Sequence, residues 1–172
     1  MFDNKRPTEI LREEHRDVLQ KLDALEKVFE NLGNDRSVSI ELKPLASFFN
    51  TDFWTHFAKE ENALFPELEK FMPRDAGPVG VMLMEHDDLR ETNAKMQEAI
   101  AAYLKDSNGL EASSAIKRYG THFVVVLRDH INKEDSILFM MADEHLDGGQ
   151  AARVIKLFGE IEAGSKKPKQ RL

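Results

Sequence analysis

Apolar side chains recur every three or four residues along nearly the whole chain. This is the period of an amphipathic α-helix, whereas a half-buried strand would alternate apolar and polar residues. In the first segment, about Thr8 to Leu32, the apolar face consists of Leu11, Val18, Leu22, Leu25 and Phe29. The pattern predicts an all-α protein.

Helix-stopping residues divide this pattern into four long helices and a shorter fifth. The predicted breaks are Gly33-Asn34, Pro73 with Gly77-Pro78, Ser107-Asn108-Gly109 and Gly148-Gly149. Long amphipathic helices with short connections predict an up-down-up-down antiparallel four-helix bundle over about residues 8–145. A C-terminal helix over about 150–163 and a basic tail at 164–172 complete a single domain of residues 1–172.

The second helix, predicted over about 39–71, has more apolar surface than one buried stripe requires. Its aromatic residues are Phe48, Phe49, Phe53, Trp54 and Phe57. We expect this second face to pack on the fifth helix or on another subunit, which leaves a homo-oligomer open. Pro44 is expected in the first turns, where a missing N–H is tolerated, and Pro66 should kink or end the helix.

Composition excludes several classes of protein. Apolar residues make up 41% of the 172 residues and charged residues 32%, as in a globular domain. The net charge of −7 argues against nucleic-acid and anionic-membrane partners. The absence of cysteine excludes disulfides and thiolate metal sites. No signal-peptide or membrane-spanning stretch is recognisable, so a cytoplasmic protein is expected.

Two windows of the sequence repeat one another. His56, Lys59, Glu60, Leu64 and Phe65 match His130, Lys133, Glu134, Leu138 and Phe139 in register. A weaker match relates Glu14-His15 to Glu85-His86. The first two helices therefore form one αα-hairpin and the next two form its copy, which favours a pseudo-symmetric site.

One histidine lies on the apolar face of each long helix: His15, His56, His86 and His130. Glu60 and Glu134 follow the second and fourth of these by four residues, which is one turn along the same face. Each histidine lies at nearly the same distance from its connecting loop as its antiparallel neighbour, about 17 residues in one hairpin and about 20 in the other. All six side chains should meet at one level of the bundle.

Buried carboxylates are costly unless they are paired or bound to metal, so this cluster predicts a two-metal site. Two imidazoles per metal and two shared carboxylates leave coordination positions open. Such nitrogen and oxygen ligands suit iron or manganese better than structural zinc. A metal-free hydrogen-bonded network is the alternative.

The six residues, together with the Leu64-Phe65-Pro66 and Leu138-Phe139 sequences, resemble the hemerythrin-like family, also called the HHE cation-binding domain. The resemblance implies two iron ions in an oxo- or hydroxo-bridged non-haem centre, with Glu60 and Glu134 as bridging ligands. It also implies that His15 and His56 hold one iron and that His86 and His130 hold the other.

The sequence departs from the oxygen-carrying members at two positions. Those proteins have a second histidine one turn after the third-helix ligand, where this chain has Arg90. Their last motif places an aspartate five residues after its histidine, whereas Glu134 follows His130 by four. The loss of a nitrogen ligand argues against reversible oxygen storage. The cysteine-bearing N-terminal segment of the iron–sulfur repair relatives has no counterpart in this sequence.

Three functions remain open at this point. The leading expectation is a di-iron protein that binds or reacts with dioxygen, peroxide or nitric oxide. The alternatives are a regulatory module that senses iron or oxygen through a protein partner, and a peroxidase-type oxidoreductase. No acid/base or substrate pocket can be identified from the sequence, so no catalytic residue is assigned.

Other polar residues near these motifs are predicted to lie outside the metal's coordination. His122 is expected to be a core histidine, and His145 should cap the fourth helix without binding metal. Solvent-exposed roles are expected for the acids next to the proposed ligands and for the repeated lysines: Glu14, Glu61, Glu85, Asp135, Lys59 and Lys133.

Overall fold

The computed structural model describes residues 5–33, 36–106 and 108–166, and within them the chain is helical throughout, without strands. The α-helices are α1 (Pro7–Glu30), α2 (Arg36–Asn50), α3 (Phe53–Lys59), α4 (Phe65–Leu68), α5 (Pro78–Lys105), α6 (Leu110–Lys133), α7 (Phe139–His145) and α8 (Gly148–Ser165). The all-α prediction is confirmed. Asn34 and Ser107 of the predicted breaks, and most of the predicted tail (167–172), lie outside the described residues.

Four rods form the bundle, and two of them are composite. Rod 1 is α1 and rod 3 is α5, whereas rod 2 comprises α2 to α4 and rod 4 comprises α6 and α7. The predicted continuous helix over 39–71 is therefore wrong in detail. A turn at Thr51-Asp52 interrupts it, and its last α-helical residue is Leu68. Because α2 begins at Arg36, Pro44 lies inside the helix and not in its first turns.

A π-helical turn follows the histidine in each of the two composite rods. Glu60–Leu64 joins α3 to α4, and Glu134–Leu138 joins α6 to α7. In each turn a backbone N–H donates to the carbonyl five residues earlier, so the turn contains one more residue than an α-helical turn. The second π turn has Met140 where the first has Pro66, so proline does not cause this geometry.

Two apolar clusters fill the bundle above and below the level of the histidines. The cluster nearer the α2 end contains Leu22, Leu25, Phe49, Phe53, Phe123 and Leu127, and the other contains Leu11, Leu64, Phe65, Met82, Leu138, Phe139, Val154 and Phe158. Among the described residues, no helix combines the length and apolar character that a bilayer crossing needs.

Three of the five aromatic residues of rod 2, Phe49, Phe53 and Phe57, are buried in the bundle, and Phe48 and Trp54 are half-buried. Phe49 and Phe53 make edge contacts with Phe123 of α6, at ring distances of 5.4 and 6.3 Å. The fifth helix lies against rod 2, as expected: α8 contacts α3, which includes Phe53, Trp54 and Phe57, and the first π turn. It contributes Val154 and Phe158 to the cluster that contains Leu64 and Phe65.

Gly120 of α6 packs against the ring of Phe29 of α1, and its replacement should destabilise the fold. A Cβ atom at this position would lie 2.4 Å from the ring of Phe29, whereas a Cβ at Gly159 of α8 would meet nothing within 4 Å. Gly120→Ala is expected to lower the free energy of unfolding by about 1–3 kcal/mol through overpacking. Gly159→Ala should raise it by about 0.5–1 kcal/mol through helix propensity. Urea denaturation measures both, and an equal effect of the two substitutions would contradict the packing argument.

Candidate metal centre

The structure brings the six predicted residues together in the middle of the bundle. His15, His56, Glu60 and Glu134 form one group, and Glu60, His86, His130 and Glu134 form a second. Within each group the potential ligand atoms lie within 4.8 Å of one another, and all six side chains are buried. The two groups share both carboxylates, so the arrangement offers two adjacent cation positions with common ligands.

Each glutamate spans the two histidine pairs with its two oxygens. In Glu60, Oε1 lies 3.1 Å from His56 Nε2 and Oε2 lies 3.3 Å from His86 Nε2. In Glu134, Oε2 lies 3.2 Å from His15 Nε2 and Oε1 lies 3.3 Å from His130 Nε2. The geometry thus divides the histidines into the same two pairs that the family resemblance implies.

The four oxygens of Glu60 and Glu134 are buried and have no hydrogen-bond partner among the described residues. A buried carboxylate without partners costs several kcal/mol, and protein structures rarely contain one. Two such groups side by side, each facing imidazole nitrogens, have the chemistry of metal ligands. The donor set of four nitrogens and four oxygens fits a pair of divalent or trivalent cations.

Every one of the four imidazoles donates its outer Nδ1–H to a carboxylate on a neighbouring rod. His56 donates to Glu14 at 2.7 Å, His86 to Glu61 at 2.7 Å, His130 to Glu85 at 2.9 Å and His15 to Asp135 at 2.9 Å. A carboxylate of each of rods 1 to 3 therefore accepts a hydrogen bond from the histidine of the next rod. The ring closes because Asp135 of rod 4 accepts one from His15 of rod 1. These bonds fix the tautomer and direct each Nε2 lone pair inward.

The predicted solvent-exposed role of these four carboxylates is therefore wrong. The direction of a side chain on a single helix does not reveal its hydrogen bonds, because these bonds run between helices. The repeat did contain the signal: Glu14 matches Glu85, and Glu61 matches Asp135 at the position after each shared carboxylate. An acid that recurs in register beside two repeated ligands is a candidate to orient a ring on another helix.

A cation accompanies each of the four orienting carboxylates. Lys59 bonds Glu14, and its repeat partner Lys133 bonds Glu85. Arg90 donates twice to Glu61, at 2.7 and 2.9 Å, and the guanidinium of Arg12 lies 3.9 Å from Asp135. The residue that replaces the extra histidine of the oxygen carriers thus orients His86 indirectly. Lys59 is 2% exposed, so its predicted location in solvent is wrong.

The pKa values of the proposed ligands describe the site when no cation is bound. Burial lowers the pKa of His56, but the charge of Glu60 and the hydrogen bond to Glu14 outweigh it and raise the pKa to about 10. His130 is raised to about 10 in the same way, by Glu134 and Glu85 against burial. Burial would raise the pKa of Glu60, yet the charge of His56 holds it well below its usual range.

The Nε2 atoms of the four histidines point into the site and form two close pairs. Each pair needs a positive charge between its two nitrogens. His15 Nε2 lies 3.0 Å from His56 Nε2, and His86 Nε2 lies 3.1 Å from His130 Nε2. Two lone pairs at this distance repel, so a proton or a metal ion must lie nearby. Protons and metal ions therefore compete for the same positions.

Aromatic rings separate the site from the rest of the core. Phe57 stacks on His86 at a ring distance of 3.6 Å, and Phe139 stacks on His15 at 5.4 Å. Phe65 covers His86 from another side at 5.8 Å. The rings hold the imidazoles in place and exclude water, which strengthens the electrostatic interactions inside.

The two remaining histidines lie away from the centre. His122 is exposed and pairs with Asp88 at 3.1 Å, so the prediction of a core histidine is wrong: this part of α6 turns the residue towards solvent. His145, in the last turn of α7, uses Nδ1 to contact the carbonyl of Met141 and stacks on Phe71 at 4.6 Å. Its ring takes no part in either ligand group.

The chain is similar to one known domain family and to several named proteins. A family model described as the hemerythrin HHE cation binding domain matches residues 6–142. The iron-sulfur cluster repair protein YtfE of Musicola paradisiaca is 28% identical over 130 residues, which cover 74% of this chain and 59% of that protein. YtfE of Escherichia coli O9:H4 is 27% identical with the same coverage. DnrN of Neisseria gonorrhoeae, also an iron-sulfur cluster repair protein, is 26% identical over 100 residues, 58% of this chain and 64% of that protein.

The chain spans about three fifths of the length of these relatives. The matched residues contain all six members of the two ligand groups. A cation-binding domain with paired histidines and two shared carboxylates indicates a centre of the di-iron type.

Proposed function

Since the chain belongs to the hemerythrin HHE cation-binding domain family, we propose that it is a non-haem di-iron protein that takes part in the repair of iron–sulfur clusters. The ligands are His15 and His56 at one position, His86 and His130 at the other, and the two glutamates at both. The observation that carries the proposal is the set of four buried carboxylate oxygens without hydrogen-bond partners among the described residues. The repair role is supported by the relatives named iron-sulfur cluster repair proteins.

The chain's own residues would hold, orient and insulate the metal pair. An iron pair supplies one-electron redox chemistry and open coordination positions for a small oxidant such as dioxygen, peroxide or nitric oxide. The four orienting carboxylates keep the Nδ1 protons outside, so that every Nε2 is available as a ligand. The stacked Phe57 and Phe139 rings keep bulk water from the inner face. Manganese fits the same donors, and iron is proposed because of the family.

Cluster repair can be tested with purified components. The protein is loaded anaerobically with ferrous iron and mixed with a [4Fe–4S] hydro-lyase that peroxide has inactivated, in the presence of thiol and sulfide. We expect the iron-loaded chain to restore hydro-lyase activity faster than an equal amount of free ferrous iron, because bound iron is protected from oxidation.

The metal-free chain and iron-loaded His122→Ala, altered at an exposed residue outside both ligand groups, serve as controls. Recovery of hydro-lyase activity with iron-loaded His122→Ala, but not with the metal-free chain, would support the proposal. If free ferrous iron restored hydro-lyase activity as fast as the iron-loaded chain, that result would contradict a role in repair. If that occurs while ferrous protein exposed to air forms a stable, reversible absorption band, the site serves dioxygen binding instead.

A further inference from the structure

The six ligands are not equally far from solvent. His56 is 6% exposed, whereas His15 is 1% exposed and His86, His130 and both glutamates are fully buried. His56 also lies in the wall of a cavity of about 1210 Å³ between α1, the α2–α3 turn and the C-terminal end of α8. A second cavity, of about 840 Å³, lies beside Lys133, and its wall contains none of the six.

Charge in the larger cavity favours a cation. Its wall includes the acidic residues Glu13, Glu14, Asp17, Asp52 and Glu162, against the two bases Lys59 and Lys166. Glu14 is both part of this wall and the hydrogen-bond acceptor of His56 Nδ1. A divalent ion in the cavity would therefore lie one imidazole ring away from the buried carboxylates.

One side chain bridges this cavity between α8 and α1. The ammonium of Lys59 bonds Glu14 of α1 and Glu162 of α8, and it lies 5.6 Å from the ring of Phe158. The repeat partner Lys133 also has two carboxylate partners, but one of them, Asp129, is on its own helix at 2.9 Å. Among the described residues, a bond from the fifth helix to a lysine that holds an orienting carboxylate therefore exists in only one of the two halves. It also involves a helix beyond the residues 6–142 that the family model matches.

The two ends of α8 are held differently. Its N-terminus has a reciprocal cap between Asp147 and Gln150, and Gln150 also bonds Glu67 at 3.0 Å. Val154 and Phe158 are buried in the middle of the helix, whereas Glu162 is half-buried and residues 163–166 are exposed. The last turn can therefore move away while the rest of the helix stays packed.

From these observations we infer that the cavity beside His56 is the passage by which ferrous iron enters and leaves the centre, and that the Glu162–Lys59–Glu14 bridge closes it. The inference rests on the proposed two-metal site and adds its route of exchange. A protein that supplies iron for cluster repair needs such a route, because the centre itself is sealed by aromatic rings.

The test compares iron release from Glu162→Gln with release from Asp129→Asn. Both substitutions remove one carboxylate partner of a repeated lysine, but only the first breaks a bond between helices. Each anaerobically loaded protein is mixed with a water-soluble phenanthroline chelator, and the coloured ferrous complex is followed in a stopped-flow instrument. Glu162→Gln should release iron about 5- to 10-fold faster than the wild type, because glutamine keeps an acceptor for Lys59 but loses the charge that strengthens the bond against local opening. Asp129→Asn should release iron at the wild-type rate.

Thermal unfolding of the loaded variants shows whether any faster release reflects general destabilisation. Equal release rates for wild type and Glu162→Gln, or equal acceleration by both variants, would overturn the passage while leaving the metal site intact. A wild-type chain that retains no iron after desalting would contradict the proposed centre itself. The two failures are therefore distinguishable in one set of measurements.

Discussion

Glu60→Ala is expected to abolish metal binding at both positions at once. Glu60 belongs to both ligand groups, and each of its oxygens faces a histidine of a different pair. Without Glu60, a single shared carboxylate would have to balance the charge of two buried cations, which is strongly unfavourable. Affinity should fall by more than about 100-fold, because loss of an outer orienting residue alone costs about 10–100-fold. Elemental analysis after desalting should find fewer than one metal ion per chain.

The comparison with two other variants makes this result specific. Glu134→Ala should behave in the same way, because Glu134 holds the equivalent place in the second half. His122→Ala alters a histidine that is exposed and paired only with Asp88 in the described structure, so it should retain full loading. A Glu60→Ala protein that keeps two ions, or a His122→Ala protein that loses them, would contradict the assignment of the ligands.

The metal-free protein is expected to lose stability as pH rises, while its affinity for metal increases. His56 and His130 have a pKa of about 10 in the fold, against the ordinary value of 6.5. The folded form therefore binds these protons more tightly than the unfolded chain does. Their contribution is complete below about pH 6.5 and is lost as pH rises towards 10. Between pH 7 and pH 9.5 the two histidines together should lose about 6 kcal/mol of stabilisation, so the melting temperature should fall by roughly 12–24 °C.

Metal binding should show the opposite slope in the same pH interval. Each ion must displace a proton from His56 or His130, so affinity should rise about tenfold per pH unit for each proton released. Thermal melts of the metal-free protein and chelator competition with the loaded protein measure the two slopes. His56→Gln removes one of the two protons and should reduce both slopes by about half. A metal-free melting temperature that stays level or rises over this interval would contradict the protonated pairs.

The rods and the six inner residues could be predicted because both depend on period and register. Apolar positions at helical spacing place one face of each rod in the core, and His15, His56, His86 and His130 lie on those faces. Counting residues from the loops then gives their common level. The break at Thr51-Asp52 lacks a glycine or proline, so no stop signal marked it.

The orienting carboxylates could not be predicted from helical periodicity, because hydrogen bonds between helices leave no period in a single helix, and only their recurrence in the repeat indicated them. Glu14 follows the surface period of α1, yet its carboxylate reaches the ring of His56 on α3. Glu61 and Asp135 were judged by the 100° rotation of an α-helix, but both lie in π turns, where the angular step is smaller. Lys59 bonds Glu14 of α1 and Glu162 of α8, and its burial between these helices depends on tertiary packing.

The circle of imidazole–carboxylate bonds has a consequence for assembly of the bundle. Each rod donates one hydrogen bond to the previous rod and accepts one from the next, so sliding any rod by one turn breaks two bonds together. Apolar surfaces tolerate such slippage, because leucine and phenylalanine can exchange neighbours at little energetic cost. The four imidazole–carboxylate bonds therefore favour a single vertical register of the rods, even without a bound cation.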